Sequence, residues 1–332
     1  MMGMNPLSGG YSVAEFLQLD FAALTTATLA AICCGLLGNF LVLRRQSLMG
    51  DAISHAVLPG IVVAFVLAGS RGPVPMILGA TAASVTAALL IELVRRLGRI
   101  EAGASMGVVF TVMFAGGVLL LEQAAARSVD LDADCVLYGQ LEDILWFAGT
   151  GWEALLDPAA LATLPRELLT LAGLLLLCLL LLALFWKEIR ITTFDPGLAS
   201  SLGIPAGLFH YGLMLMVALA AVASFEAVGS ILVIAMLICP AATARLLTDR
   251  YGTQLALSGL FGASAAIVGY VAAGFLPGWF GADWALNAAG TIATVAGLQL
   301  AAAVVLGPRY GIVGRLRRAA LPAEVVTEPR PA

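Results

Sequence analysis

The stretch RRQSLMGDAISHAVLPGIVVAF, residues 44–65, sets Asp51 and His55 four positions apart between two long apolar runs. On a helix that spacing leaves the two side chains about 40° apart on one face, so one carboxylate oxygen and one imidazole nitrogen can reach the same ion. With no thiol nearby in sequence, this oxygen-and-nitrogen set suits Mn²⁺, Fe²⁺ or Zn²⁺. Ionisable groups in or beside a membrane span are costly and mark ion pathways, proton relays or ligand sites. The competing reading is an Asp–His pair that caps the start of the helix. Pro59, lacking an N–H, leaves the carbonyl of His55 without its usual i+4 donor and offers a further oxygen.

A second stretch, KEIRITTFDPGLASSLGIPAGLFHYG at 187–212, carries docking signals. Asp195 as N-cap and Pro196 at the first helical position predict a short helix over 196–202, closed by Gly203 and stopped by Pro205. Its small residues Ala199, Ser200 and Ser201 suit docking into a groove on a partner. Two enzyme classes are unsupported. The single lysine, Lys187, follows Phe-Trp and so belongs to no Gly-rich phosphate-binding loop, and neither of the two histidines begins an HExxH.

These residues must be positioned by membrane helices. The 332-residue chain is 61% hydrophobic and 11% charged, with a mean hydropathy of +1.00, which predicts a polytopic all-α membrane protein. Segments long enough to cross, at about 20 residues each, fall near 20–43, 53–69, 74–94, 105–122, 167–186, 209–225, 227–247, 254–275 and 285–306. The pair within 209–247 also reads as one re-entrant element, leaving eight or nine spans. With a cytoplasmic C-terminus, nine spans place all but Arg71, Arg127 and Arg166 of the 17 basic residues inside, as the positive-inside rule requires. Residues 1–19 are then an extracytoplasmic segment retained ahead of a self-inserting first span. Residues 20–308 form the transmembrane domain, and 309–332 a cytoplasmic tail.

Within that domain, 123–166 is an extracytoplasmic loop whose Asp130, Asp132 and Asp134 read as solvated, and 187–208 is a cytoplasmic loop. Cys33, Cys34, Cys178 and Cys239 fall inside spans as small apolar fillers, and only Cys135 lies outside, so no intrachain extracytoplasmic disulfide is available. His210 reads as an interfacial histidine rather than a ligand, and Glu226 as an outer interfacial carboxylate that pairs or lines an entrance. Pro240 reads as a kink in its span that frees the carbonyl of Met236 beside the pathway. Ala289, Ala293, Gly297 and Ala301 form a small-residue ladder for close helix packing.

Taken together, GDAISHAVLPG at 50–60, FDPGLASSLGIP at 194–205 and EAVGSILVIAMLICPAATARLL at 226–247 resemble the permease subunits of bacterial ABC importers for manganese, zinc and chelated iron, in the right order and spacing over residues 20–318. The resemblance implies a multi-pass helical bundle in the bacterial cytoplasmic membrane that pairs with a second copy or a related permease. It also implies cytoplasmic ATP-binding subunits as partners, docked through Phe194, Asp195, Pro196, Ala199, Leu202 and Gly203, and an extracytoplasmic metal-binding protein that delivers the ion. Asp51 and His55 map onto that family's metal-handling positions. The metal is cargo, so no permanently bound cofactor is expected, and nothing calls for a nucleic-acid partner. DAISHAVLPG looks closer to the manganese and iron branch than to the zinc branch. The alternative is a self-contained metal transporter driven by an ion gradient, against which the scarcity of intramembrane acids counts.

Overall fold

The computed structural model describes residues 12–69, 73–125, 141–279, 286–308 and 310–314. Asp130, Asp132, Asp134, Cys135, Arg71, Arg127 and most of the C-terminal tail lie outside the described residues. Among those described, every regular element is helical. The chain runs through α1 (Val13–Leu43), α2 (Leu48–Ala68), α3 (Pro73–Gly98) and α4 (Ala102–Ala125). A cap of two 3₁₀ turns and the short α5 (Pro158–Leu161) follows. Then come α6 (Arg166–Leu184), α7 (Trp186–Phe194), α8 (Pro196–Ser201) and α9 (Ala206–Val228). The last three are α10 (Ser230–Leu247), α11 (Tyr251–Trp279) and α12 (Ala288–Leu306).

Nine of these helices are long and apolar enough to cross a membrane. The ambiguity within 209–247 resolves at Gly229, whose φ of 79° separates α9 from α10 as two full helices. Both faces of these helices are apolar. Helix α6 turns Leu171, Leu175, Cys178 and Leu182 inward, while Leu176, Leu180 and Leu184 stand exposed. A helix that is hydrophobic all round is stable only with protein on one side and lipid on the other.

Helix α1 is the central post, packed against α6, α9, α10 and α11. It is tied to α11 by fully buried amides. Gln254 Nε2 donates to Asn39 Oδ1 at 2.9 Å, and Asn39 Nδ2 donates to the Gly35 carbonyl at 2.9 Å and to Ser258 Oγ. Buried polar groups so satisfied specify one helix register in an otherwise apolar interface. Helices α2, α3 and α4 form a second group that joins the first through α9 and α10. The four described cysteines are free and at least half-buried, as expected of fillers.

The expected ladder on α12 packs at its first two members, Ala289 and Ala293, and not at its last two. Its packing face is Ala288, Ala289, Ile292, Ala296 and Ala303, whereas a Cβ on Gly297 would meet open space and Ala301 is exposed. A strict four-residue repeat drifts about 40° per step, so three steps carry Ala301 roughly 120° off the face that Ala289 begins.

The two ends of the bundle differ in charge. Arg44, Arg95 and Arg96 gather around His210, and Arg190 lies with Arg250 and Asp249 beside α7 and the start of α11. At the opposite end Trp146 is buried in the cap, its Nε1 donating to the Ala160 carbonyl at 3.2 Å and its backbone N–H to Gln18 at 2.9 Å. There Arg166 Nη2 also donates to Glu226 Oε1 at 2.9 Å.

Candidate metal site and coupling loop

The turn into α2 is closed by the backbone. Arg45 adopts φ 56°, its N–H donates to the Val42 carbonyl at 3.1 Å, and the Gln46 N–H donates to Leu41 at 2.7 Å. This pair of bonds ends many helices, normally with glycine at the left-handed position. Met49 N then donates to the Gln46 carbonyl at 2.9 Å, and α2 is under way by Leu48. The helix therefore begins five residues before the apolar run predicted from 53, because Gly50 and Asp51 lower the hydropathy of a first turn that the backbone bonds nevertheless close. Ser47 holds the N-cap position with no side-chain cap bond. Asp51 faces His55 instead, with Oδ1 and Nε2 3.3 Å apart.

That distance fits two ligands of one ion. Donors bound at about 2.1 Å and set roughly 105° apart around a metal stand about 3.3 Å from each other. The side chains are 31% exposed for Asp51 and 26% for His55, open enough to admit an ion. His55 lies about 10 Å along the helix axis from Leu48, so the pair sits within the span on the side of the basic end.

Other elements fix the pair in place. Phe110 and Phe114 of α4 hold the His55 ring between them, with centroids 5.0 and 5.1 Å away. The sequence reading missed them, although they too stand four apart, the spacing that presents two rings on one helix face. Pro59 lies in an unbroken α2, and its ring covers Gly117 of α4, where a Cβ would come within 2.7 Å of Pro59 Cδ. One residue on, α2 crosses α3 with glycine against glycine. A Cβ on Gly60 would stand 2.3 Å from the Gly79 carbonyl oxygen, and one on Gly79 2.5 Å from that of Gly60. On the other side Leu237 of α10 seats against Gly38 and Gly50, immediately before Asp51. Pro240 follows within the same helix, buried beside Gly35 of α1.

The remaining candidates stand apart from the pair. Glu226 is ion-paired with Arg166, which also binds Glu167 at 2.7 Å, and so ties α9 to α6 at the opposite end. His210 accepts a 2.8 Å bond from Arg44 at the basic end. Among the described residues no cluster of three His, Cys, Asp or Glu side chains could hold a metal. Asp51 and His55 therefore stand as a pair, with no third such side chain beside them among the described residues.

The loop helix α8 forms as its sequence signals require. Asp195 Oδ1 accepts from Leu198 N at 2.9 Å, with Pro196 at the first helical position. Gly203 has φ 77°, and the N–H groups of Gly203 and Ile204 donate to Ser200 and Ala199 at 3.1 and 2.9 Å. Of its three small residues, only Ala199 is withdrawn from the outward surface. Ala199 is fully buried, and the Ser200 and Ser201 hydroxyls turn back onto the carbonyls of Pro196 and Leu198. Beside the exposed Ser200 and Ser201, the outward surface carries three apolar side chains, Phe194, Leu198 and Leu202, about half exposed or more and four residues apart. A groove of about 740 Å³ runs beside them, bordered by Trp186, Arg190, Arg250 and Tyr251.

The family model described as the ABC 3 transport family matches residues 15–145 and 157–301. The manganese transport system membrane protein MntD of Bacillus subtilis (strain 168) is 39% identical over 295 residues, covering 89% of this chain and 94% of that protein. The zinc transport system membrane protein TroD of Treponema pallidum (strain Nichols) is 39% identical over 309 residues, covering 91% and 78%. Among solved structures, PsaBC from Streptococcus pneumoniae in complex with Fab superposes with a TM-score of 0.68 at 31% identity, covering 89% of this chain and 94% of that one. With nine membrane-length helices among the described residues and this family model matched over residues 15–145 and 157–301, the chain belongs to the ABC 3 transport family: it is a multi-pass membrane permease, a transport component whose ATP hydrolysis resides on a separate subunit.

Proposed function

We propose that this permease imports a divalent transition-metal ion, Mn²⁺ foremost, with Asp51 and His55 as its ligands. The observation that carries the reading is the 3.3 Å oxygen-to-nitrogen edge on the first turns of α2. Relatives named for manganese and for zinc support a divalent ion. A neutral imidazole and one carboxylate leave each chain with a single negative charge at the site. A second copy, or a related permease, would bring the charge to that which balances a divalent cation and would double the donor set, a strong requirement where water is scarce. The basic end then faces the cytoplasm, and Phe194, Leu198 and Leu202 present α8 to the ATP-binding subunits. The cap around Trp146 receives the extracytoplasmic metal-binding protein. Family membership places the energy source in ATP rather than an ion gradient.

The test is metal uptake by cells lacking and then re-expressing the protein, with Mn²⁺, Zn²⁺ and Fe²⁺ limiting in turn. Restored accumulation of Mn²⁺ that survives loss of the membrane potential but not of ATP is the expected result. Uptake that follows the potential, or no deficit in any of the three metals, rejects it.

The docking role of α8 is tested separately. Gly203→Val puts a β-branched residue at φ 77°, a strain of about 1–2 kcal/mol, and should loosen the cap of α8. The ATP-binding subunit is expected to co-purify several-fold less well while metal binding by the permease is retained. Full co-purification would remove this loop from the contact.

A further inference from the structure

Arg44 has a role that neither the metal pair nor the docking face explains. It is the C-cap residue of α1, and its side chain reaches both helices that flank α8. Nη1 donates to His210 Nδ1 of α9 at 2.8 Å, and Nη2 donates to Thr193 Oγ1 of α7 at 3.4 Å. Thr193 lies two residues before the Asp195 cap, and His210 five residues beyond Pro205. In the other direction Arg44 is joined to α2 by the backbone-closed turn of Arg45, Gln46 and Met49, with Asp51 only one turn further on. A displacement of α8 thus has a short, rigid route to the metal-bearing helix.

We propose that Arg44 is the positioning residue that couples movement of α8 to the Asp51–His55 helix, and that it does so only while His210 is neutral. The inference rests on the permease reading above. Coupling needs an element whose position both sites bias, and Arg44 contacts both sides.

The condition on His210 follows from chemistry. A guanidinium is only a donor and stays charged, so His210 Nδ1 must offer a lone pair. Protonation removes that lone pair and sets two cations at hydrogen-bond distance. The other groups facing His210 are Glu92, Arg95 and Arg96 of α3 and its neighbour Tyr211. Glu92 is occupied by Arg95 at 2.8 Å and by Arg96 at 2.6 Å, so it is not available to replace Arg44 as the partner of an imidazolium.

The test uses the permease with its ATP-binding subunits in proteoliposomes, ATP-binding side outward, with Mn²⁺ uptake and ATP hydrolysis read together. Arg44→Gln and His210→Leu should each lower Mn²⁺ turnover about ten-fold or more with KM within about two-fold of wild type, so that more ATP is spent per ion. His210→Asn places an amide oxygen where Nδ1 stands and should retain turnover. As the outer pH falls from about 7.5 to about 4.5 with the lumen held constant, wild-type turnover should drop further than that of His210→Asn, chiefly at the acid end, since a second positive charge beside Arg44 is costly. Both proteins keep His55, so the difference between their profiles reports on His210.

Unchanged turnover in Arg44→Gln and His210→Leu overturns the proposal, as does a rise in KM that accounts for the loss. So do superimposable pH profiles, or an Asn variant as impaired as Leu. If wild type takes up none of Mn²⁺, Zn²⁺ or Fe²⁺, the metal reading has failed instead, a result visible before any variant is compared.

Discussion

Asp51→Ala and His55→Ala are each expected to abolish metal accumulation while the protein still inserts and assembles. Each removes a donor to the ion. The loss should exceed the ~10–100-fold that follows when only a hydrogen-bond partner of a ligand is removed. Neither side chain anchors the fold: both are partly exposed, and the side-chain bond the two share is to each other. His55→Ala also empties the space between Phe110 and Phe114, so His55→Gln is the sharper variant. It retains bulk and polarity but offers a weaker amide oxygen, and a large yet incomplete loss is expected. The measurements are cellular Mn²⁺ content under limitation and ion binding by purified protein, beside a size-exclusion profile in detergent. Near-normal accumulation by either alanine variant would return the pair to a structural role.

Gly60→Val and Gly79→Val should prevent the permease from forming a stable fold. At this crossing even a Cβ would come within about 2.5 Å of a backbone carbonyl on the facing helix, and a backbone, unlike a flexible side chain, cannot swing aside. Overpacking a well-filled interior costs about 1–3 kcal/mol, and forcing α2 from α3 belongs at or beyond the top of that range. The contact also aims Asp51 and His55, since α2 is held by this crossing, by Pro59 on Gly117 and by Leu237 on Gly50. Gly173→Ala, on the exposed face of α6 with open space at its Cβ, is the control and should leave stability unchanged or raise it by up to about 1 kcal/mol. Thermal unfolding in detergent, read as loss of the monodisperse peak, separates the variants. Gly60→Val behaving like Gly173→Ala would mean that the two helices do not approach this closely in the membrane.

Much of this molecule is written locally. Membrane-length helices follow from runs of about 20 apolar residues, and the two-ended charge distribution from where arginines interrupt them. The cap of α8 was legible at Asp195, Pro196 and Gly203 because each acts through backbone bonds to residues within a few positions. Asp51 and His55 were legible for the same reason, since one helical turn relates them whatever surrounds it. Tertiary structure decided what depends on which face meets which neighbour. Ala199 points inward and Leu198 outward because α8 lies against α7. The α12 ladder of four-residue steps lost its outer members because packing follows the 3.6-residue turn. Phe110 and Phe114 reach His55, Gly117 reaches Pro59 and Gly79 reaches Gly60 from separate helices, and Arg44 meets His210 across 166 positions. No periodicity within one helix encodes the choice of its partners; that choice is made by complementary shape, where a glycine, a proline ring or a buried amide finds the one opposing surface that fits it.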